Sequence, residues 1–228
     1  VLAGVVAGDA VSLDADSAVS AAFASADAAE SVAVTITGYS LDASGLDVGN
    51  YTLAQPAGVT AGISRRIITI DGLSADDKVY DGTVAAVFDT TTASFVRPAD
   101  LAALGADSTT AIVGNDTVSI ASVDGEFADR HAGSGKDVIV TGATLTGAQA
   151  GNYAVVVSTL DGNGNDVPLA FTADITPAAL TITAADVEKV YNGTTTVSDG
   201  EAVAGGGTQL FGDDQLSGGS FAFADANV

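Results

Sequence analysis

The sequence predicts an all-β fold built from tandem antiparallel β-sandwich repeats, and three observations support this prediction. The 228 residues include 27 glycines, 6% aromatic residues and no tryptophan, methionine or cysteine, which favours short strands joined by turns. Short segments with alternating apolar and polar residues recur between turn residues. Several motifs occur more than once, in the same order. Six to eight strands in a unit of roughly 100 residues are typical of an immunoglobulin-like sandwich.

The repeated motifs divide the chain into three stretches. The motifs that recur are KVYDGT at 78–83 and KVYNGT at 189–194, GNY at 49–51 and 151–153, GISRRIITI at 62–70 and DITPAALTI at 174–182, and the trio AGDAVSL, GNDTVSI and GDDQLSG. We therefore expect a complete repeat over residues 66–177. Residues 1–65 are expected to be the C-terminal part of another repeat, and residues 178–228 the N-terminal part of a further one.

The incomplete repeats leave two interpretations open. Either the chain is a window on a longer polypeptide, or the two partial repeats complete each other between molecules by strand addition. The middle repeat also carries an insertion that the third lacks. In that insertion Pro98 stands at a first helical position and Gly105 at a helix end, which predicts a short helix over 97–105.

The hexapeptide is predicted to be a structural turn. Its Asp-Gly and Asn-Gly pairs favour a hairpin corner, because glycine adopts positive φ at little cost. The lysine two positions before the tyrosine is expected to run beside the ring with its charged head in solvent. An isopeptide crosslink from the lysine is an alternative. The motif residues are Lys78, Tyr80, Asp81, Gly82, Lys189, Tyr191, Asn192 and Gly193.

A second motif precedes a strand in two repeats. Asp47, Gly49 and Tyr51 have the Asp-x-Gly-x-Tyr spacing of the tyrosine corner in immunoglobulin-like domains, where the hydroxyl bonds back to the preceding corner. The second copy keeps Gly151 and Tyr153 but has glutamine in place of the aspartate. An ordinary Gly-Asn turn before a strand with a buried tyrosine is the other interpretation.

The motif order as a whole resembles the YDG repeat family. The succession KVYDGT, GNDTVSI, FADRHAGSGKDVIVTGATLTGAQAGNYAVV and ITPAALTIT carries the resemblance, which covers essentially the whole chain. Such repeats occur in tandem in long bacterial surface and secreted proteins, including filamentous-haemagglutinin-like adhesins. The resemblance implies an extracellular, cell-surface scaffold or stalk segment, and it supplies no catalytic residues.

The charge balance narrows the range of partners. With 29 acidic and 7 basic residues the formal charge is −22, so neither nucleic acid nor an anionic membrane surface is an expected partner. We expect the partners to be neighbouring repeats or other copies of the chain. The alternative is a binding module in which loops 94–105 or 161–167 recognise a glycan, a surface or a host protein. Carbohydrate enzymes usually add aromatic platforms to their carboxylates, so we do not expect an enzyme.

Calcium is a candidate ligand, although the expected fold requires no cofactor. The segment DGNGND resembles the front of a calcium loop but lacks an acidic residue at the closing position. Asp76 and Asp77 form a carboxylate pair close to a repeat boundary. A solvated turn is the competing interpretation of both sites. The candidate calcium ligands are Asp161, Asn163, Asn165, Asp166, Asp76 and Asp77.

Overall fold

The computed structural model describes residues 2–98, 110–160, 165–183, 189–197, 203–204, 210–215, 221–222 and 224. Within these ranges the chain is all-β, as predicted, and most strand pairs are antiparallel. Two short 3-10 segments, Val48–Asn50 and Ala150–Asn152, are the helical exceptions among the described residues. That part of the chain has no helix long and apolar enough to span a membrane. Most of the helix predicted over 97–105 lies outside it.

The strands of the described residues follow one another in short lengths. Their bounds are β1 Ser20–Phe23, β2 Ala29–Thr37, β3 Thr60–Ile63, β4 Arg66–Asp71, β5 Ser74–Ala75, β6 Lys78–Val79, β7 Ala85–Ala86, β8 Phe88–Asp89, β9 Ser94–Val96, β10 Ser119–Phe127, β11 Gly133–Thr146, β12 Tyr153–Val156, β13 Ser158–Leu160, β14 Asp166–Pro168, β15 Ala170–Thr176, β16 Ile182–Thr183, β17 Thr196–Val197, β18 Val203–Ala204 and β19 Phe221–Ala222.

The chain forms two compact units. The first contains Val1–Thr69, Phe95–Ser119 and Leu145–Val156, and the second contains Ile70–Ser94, Ile120–Thr144 and Val157–Val228. The repeat predicted over 66–177 contributes segments to both units. The sequence repeat and the compact unit are therefore different divisions of this chain.

Residues 66–69 of strand β4 belong to the first unit, and Ile68 is part of its core. The strand lies between β12 and β9 in a three-stranded sheet, and its consecutive residues Ile68, Thr69 and Ile70 are all buried. A strand that is covered on both faces is expected to be continuously apolar. Ile68 is fully buried, and the residues around it are Ala111, Tyr153, Phe95, Ile112, Val118, Leu145 and Val155.

The pairing of β4 with β12 is parallel, whereas the sequence predicted antiparallel strands. Tyr153 lies opposite Arg66, and Val155 lies opposite Ile68. A parallel pair needs a long connection instead of a hairpin, and these two strands are far apart in the chain. Two side chains of β4 hold its position: Arg66 donates to the carbonyl oxygens of Thr110 (2.7 Å) and Ala111 (3.0 Å), and Thr69 Oγ1 donates to Val156 O (2.9 Å).

The second unit is organised by a five-stranded sheet in the order β6-β15-β11-β10-β7. Alternate residues of β11, including Val138 and Val140, point into its core, as a strand with one buried face requires. Gly125 of β10 allows close packing there, because a Cβ at this position would lie 2.5 Å from both the Phe88 ring and Ile139 O. A side chain at position 125 is therefore excluded.

Equivalent strand pairs in successive repeats share one register. In the first repeat β2 and β3 pair Ala29 with Ile63 and Val32 with Ala61, with a shift in register between the two pairs. In the second repeat β11 and β15 pair Gly133 with Ile175 and Lys136 with Ala173, with a shift at the same place. The repetition in the sequence is thus matched by a repetition of backbone geometry.

Candidate functional site

The lysine of the hexapeptide binds its own loop. Lys78 Nζ donates to Asp81 Oδ1 (2.8 Å), to the carbonyl and hydroxyl of Thr83 (2.9 and 3.2 Å) and to Ala85 O (3.0 Å). Asp81 Oδ1 also accepts from the Thr83 backbone N–H (2.8 Å) and hydroxyl (2.9 Å). Burial alone would raise the pKa of the Asp81 carboxyl, but the bonds from Lys78 and Thr83 outweigh it and lower the pKa.

The third repeat forms the same loop with an amide in place of the carboxylate. Lys189 Nζ donates to Asn192 Oδ1 (2.9 Å), to the carbonyl and hydroxyl of Thr194 and to Thr196 O (3.1 Å). Asn192 Oδ1 accepts from the Thr194 backbone N–H (3.1 Å) and hydroxyl (2.9 Å). Only one side-chain oxygen is used in each copy, which is why aspartate and asparagine can interchange.

Two details of the hexapeptide prediction were wrong. The turn does not close a hairpin, because β6 pairs with β15 while β7 pairs with β10. The lysine head is not in solvent either: the Lys78 side chain is only 16% exposed, and Nζ lies 5.5 Å from the centre of the Phe127 ring. The turn itself is present, with Gly82 at φ +77° and Gly193 at φ +73°.

Tyr153 connects β12 to a loop far upstream. Its hydroxyl donates to Asp116 Oδ2 (2.7 Å) and accepts from the Val113 backbone N–H (2.9 Å), while Asp116 N–H donates to Val113 O (3.0 Å). Tyr153 is 3% exposed, and burial followed by the bond to Asp116 raises the pKa of its phenol. We call this tyrosine–aspartate–turn arrangement a tyrosine clamp.

The first repeat contains the same clamp. The Tyr51 hydroxyl donates to Asp9 Oδ2 (2.6 Å) and accepts from the Val6 backbone N–H (3.0 Å), and Asp9 N–H donates to Val6 O (3.1 Å). The bond to Asp9 raises the pKa of the Tyr51 phenol. The acceptor carboxylates lie 42 residues before Tyr51 and 37 before Tyr153, whereas an immunoglobulin tyrosine corner bonds a few residues upstream.

A second side chain binds the turn that contains each clamp aspartate. It belongs to the residue two positions before the glycine of each GNY motif. Asp47 Oδ2 accepts from the Ala10 backbone N–H (2.8 Å), and Gln149 Oε1 accepts from the Thr117 backbone N–H (2.9 Å). Both side chains supply one oxygen to the residue that follows the clamp aspartate, so the substitution of glutamine for aspartate conserves the contact. Gly49 and Gly151 lie in the 3-10 segments that precede the tyrosines.

The GDDQLSG motif of the third repeat also binds a tyrosine, but this tyrosine belongs to the hexapeptide and not to a GNY motif. The hydroxyl of Tyr80, the hexapeptide tyrosine, donates to Asp214 Oδ2 (2.6 Å), and its ring meets Phe211 edge-on at 5.7 Å. Asp214 N–H donates to Phe211 O (3.1 Å), and the bond to Asp214 raises the pKa of the Tyr80 phenol. By contrast, Tyr191 is 61% exposed.

Sequence reasoning did not assign tyrosine partners to the three clamp aspartates, Asp9, Asp116 and Asp214, and it interpreted the pair Asp213-Asp214 as solvated loop charge. A signal was present, because each ends a turn in the repeated AGDAVSL, GNDTVSI and GDDQLSG motifs. Their tyrosine partners could not be assigned from the sequence, since each pair is separated by tens of residues.

Two of the candidate calcium ligands bond to other parts of the chain. Asp77 Oδ1 accepts from the Asp174 backbone N–H (2.7 Å), and Asp166 Oδ1 lies 3.5 Å from Ser158 Oγ. Asp161 and Asn163 lie outside the described residues. In the part of the chain that is described, no three acidic, histidine or cysteine side chains are grouped closely enough to hold a metal ion. Calcium binding stays a prediction.

We predict that Asp81→Asn leaves stability within about 0.5 kcal/mol of the native value, because the amide oxygen can accept the same three hydrogen bonds. Asp81→Ala removes that acceptor and is expected to cost about 1 kcal/mol or more. Urea unfolding of both variants measures the difference. Equal losses in the two variants would show that the charge of Asp81, and not its acceptor geometry, stabilises the loop.

We also predict that Tyr153→Phe costs about 1 to 3 kcal/mol, because it leaves the Asp116 carboxylate and the Val113 N–H without their partner. Tyr51→Phe should cost less, since Tyr51 is only half-buried. The matched control is Tyr191→Phe, at an exposed position, with an expected change within about 0.5 kcal/mol. A Tyr153→Phe variant as stable as this control would contradict a stabilising role for the clamp.

Comparison with known families agrees with the repeated motifs. The family model of the YDG domain matches residues 1–58, 64–161 and 176–228, which together make up most of the chain. No curated protein and no solved structure matches this chain. The chain belongs to the YDG domain family.

Proposed function

We propose that this chain is a structural repeat segment of an extracellular bacterial stalk or filament, acting as an adhesin or matrix scaffold. In this proposal its repeats are immunoglobulin-like β-sandwich units that pack end to end. The observation that carries the proposal is that each compact unit contains parts of two successive sequence repeats, whose side chains are hydrogen-bonded to each other.

In the first unit, Asn152 of the second repeat binds the first repeat twice. Its Oδ1 accepts from the Ala28 backbone N–H (2.8 Å), and its Nδ2 donates to Asp27 Oδ1 (3.0 Å). Bonds from Asn152 and then Ser25 lower the pKa of the Asp27 carboxyl. The asparagine belongs to the GNY motif, so a motif that recurs in each repeat supplies the connection.

In the second unit, Tyr80 of the second repeat binds Asp214 of the third. Arg130 of the second repeat adds a longer ion pair, with Nη2 at 3.8 Å from Asp214 Oδ1. This ion pair is partly exposed and contributes little by itself. The short hydroxyl–carboxylate bond and the contact between the Tyr80 and Phe211 rings supply most of the connection.

These contacts suit a stalk because they fix each repeat against the next. Repeats that are joined only by flexible linkers would bend freely, whereas repeats with hydrogen-bonded boundaries form a stiff array. The net charge of −22 fits this role, since like-charged surfaces limit lateral association. The surface location and bacterial origin in the proposal rest on the family resemblance.

The proposal predicts that genetically fused copies of the chain form a stiff rod whose length grows by a constant increment per copy. X-ray scattering of one-, two- and three-copy arrays measures this increment. The double variant Asn152→Ala, Tyr80→Phe should make the array flexible while the repeats remain folded. Asn115→Ala, at an exposed position of a Gly-Asp turn, is the matched control and should leave the rod stiff.

Arrays of the native sequence that bend as freely as the double variant would overturn the structural role. A glycan array and a cell-binding assay on the same native protein test the competing function. Saturable binding that is lost when loop 94–105 or 161–167 is replaced would favour a ligand-binding adhesion module.

A further inference from the structure

The lysine loops, residues 78–85 and 189–196, differ at the side chain that binds their lysine. This side chain is Asp81 in the second repeat and Asn192 in the third, and a glycine follows in both. The two side chains differ only in that the amide nitrogen of one is an oxygen in the other. Hydrolysis of the Asn192 amide would therefore turn the sequence KVYNGT of the third repeat into the sequence KVYDGT of the second.

Gly193 supplies a backbone nitrogen that can attack this amide. Because glycine has no Cβ, its nitrogen approaches the side chain of the preceding residue with little steric hindrance. A Cβ built on Gly193 would meet no atom within 4 Å, so there is open space on this side of the loop. Within the described residues no acceptor binds the Gly193 N–H, and Asn192 is exposed. The attacking nitrogen and the water needed for hydrolysis are therefore both available.

Three hydrogen-bond donors bind the amide oxygen of Asn192. Lys189 Nζ lies 2.9 Å from Oδ1, the Thr194 hydroxyl lies 2.9 Å from it, and the Thr194 backbone nitrogen lies 3.1 Å from it. When a nitrogen adds to Cγ, the carbonyl double bond opens and negative charge collects on Oδ1. Donors that already point at this oxygen, one of them an ammonium group, stabilise that charge in the manner of an oxyanion hole.

We propose that the lysine loop of the third repeat is a self-modification site that converts Asn192 to aspartate. In the first step Gly193 N forms a bond to Asn192 Cγ, the Cγ–Nδ2 bond breaks, and Nδ2 leaves as ammonia with the proton that Gly193 N gives up. The product is a succinimide ring. In the second step water adds to Cγ, the bond from Cγ to Gly193 N breaks, and that nitrogen regains a proton. The sum of the two steps consumes one water and releases one ammonium ion.

The same donors select the product of the second step. A succinimide ring has two carbonyl groups, and water opens the ring at either one. Addition at Cγ restores the normal backbone, whereas addition at the main-chain carbonyl leaves isoaspartate. Lys189 and Thr194 bind the oxygen on Cγ, so they activate Cγ in the second step as they do in the first. The loop therefore favours aspartate.

The second repeat shows why the reaction stops at aspartate. Against the effect of burial, the bonds from Lys78 and Thr83 lower the pKa of the Asp81 carboxyl. A carboxylate that stays ionised resists attack, because a nucleophile would add further negative charge to the group. Asp81 Oδ1 accepts the same kinds of hydrogen bond as Asn192 Oδ1, so the loop holds the product without rearrangement.

The modification gives the third repeat the ion pair of the second, in which Lys78 Nζ lies 2.8 Å from Asp81 Oδ1. All reacting groups except water belong to one loop, so the reaction requires neither an enzyme nor a partner protein. The inference goes beyond the proposed structural role and does not depend on it.

The test follows the full chain during incubation at neutral pH. Cleavage after Glu188 and Glu201 yields the peptide 189–201, which separates Asn192 from the other Asn-Gly pair, at 163–164. Conversion raises the mass of this peptide by about 1 Da, and fragmentation distinguishes aspartate from isoaspartate. The same chain in guanidinium chloride is the reference, because it has the same sequence without the loop. The folded chain should react faster and should give a larger share of aspartate.

Variants identify the donors that act. Lys189→Met removes the ammonium group and should slow the reaction at Asn192 by about tenfold or more, as the loss of an oxyanion donor does. Thr194→Val removes the hydroxyl and keeps the backbone N–H, so it should slow the reaction less. Lys189→Arg keeps a charged donor and should retain part of the rate. The matched control is Lys78→Met, which removes the equivalent lysine from the other loop and should leave the rate at Asn192 unchanged.

Three outcomes would overturn the proposal. The first is a folded chain in which Asn192 reacts no faster than in the unfolded chain, because the loop would then protect the amide. The second is a Lys189→Met variant that reacts at the native rate or faster. The third is a lasting loss of about 17 Da from the peptide 189–201, which would show that Lys189 itself forms the bond to Cγ. The comparison of folded and unfolded native chain needs no variant, so it decides the matter even if a variant fails to fold.

Discussion

The pairing of β4 with β12 is the interaction on which the rest of the core depends. It buries Ile68 completely, and it gives the paired backbone groups of both strands hydrogen-bond partners. A core isoleucine of this kind contributes about 2 to 5 kcal/mol relative to alanine, which is a large share of the stability of an ordinary domain. Arg66 and Thr69 fix the register of the pair with hydrogen bonds to carbonyl oxygens.

The polar contacts around this pair serve the same end. Tyr153 begins β12, and its clamp to Asp116 positions the strand against the turn that carries Ile112 and Val113. The hydroxyl group is well suited to this task, because it can donate to a carboxylate and accept from a backbone N–H at once. The lysine loops follow the same principle, since one ammonium group donates hydrogen bonds to two carbonyl oxygens of the loop, those of Thr83 and Ala85.

The sequence predicted the local features of this fold and missed the distant ones. Glycine content, short alternating segments and repeated motifs indicated an all-β chain, and the Asp-Gly and Asn-Gly pairs indicated turns, because these signals depend on neighbouring residues. The parallel β4–β12 pair was missed because its strands are far apart in the chain. The hydrogen-bond acceptors of Lys78 were missed for a different reason. They lie within a few residues of Lys78 in the sequence, but the strands on either side of the loop determine its conformation and therefore which oxygens Lys78 reaches.

The site was predictable to a similar degree. The hexapeptide and the GNY motif were recognised as structural elements from their repetition, but the clamp aspartates were not connected with their tyrosines. Repetition within one chain gave the most useful information once the geometry was known. Comparison of the second repeat with the first shows that both contain the tyrosine clamp, and comparison with the third shows that both contain the lysine loop.

The account's central claim is that pairing with β4 orders the segment that follows a GNY motif. Hydrogen–deuterium exchange of the dilute single chain tests it most directly, by comparison of residues 51–56 with residues 153–158. The account predicts rapid exchange in 51–56 and slow exchange in 153–158, because β4 pairs with the latter segment, whereas no strand of the described residues pairs with the former. Equally slow exchange in the two segments of the single chain would contradict it.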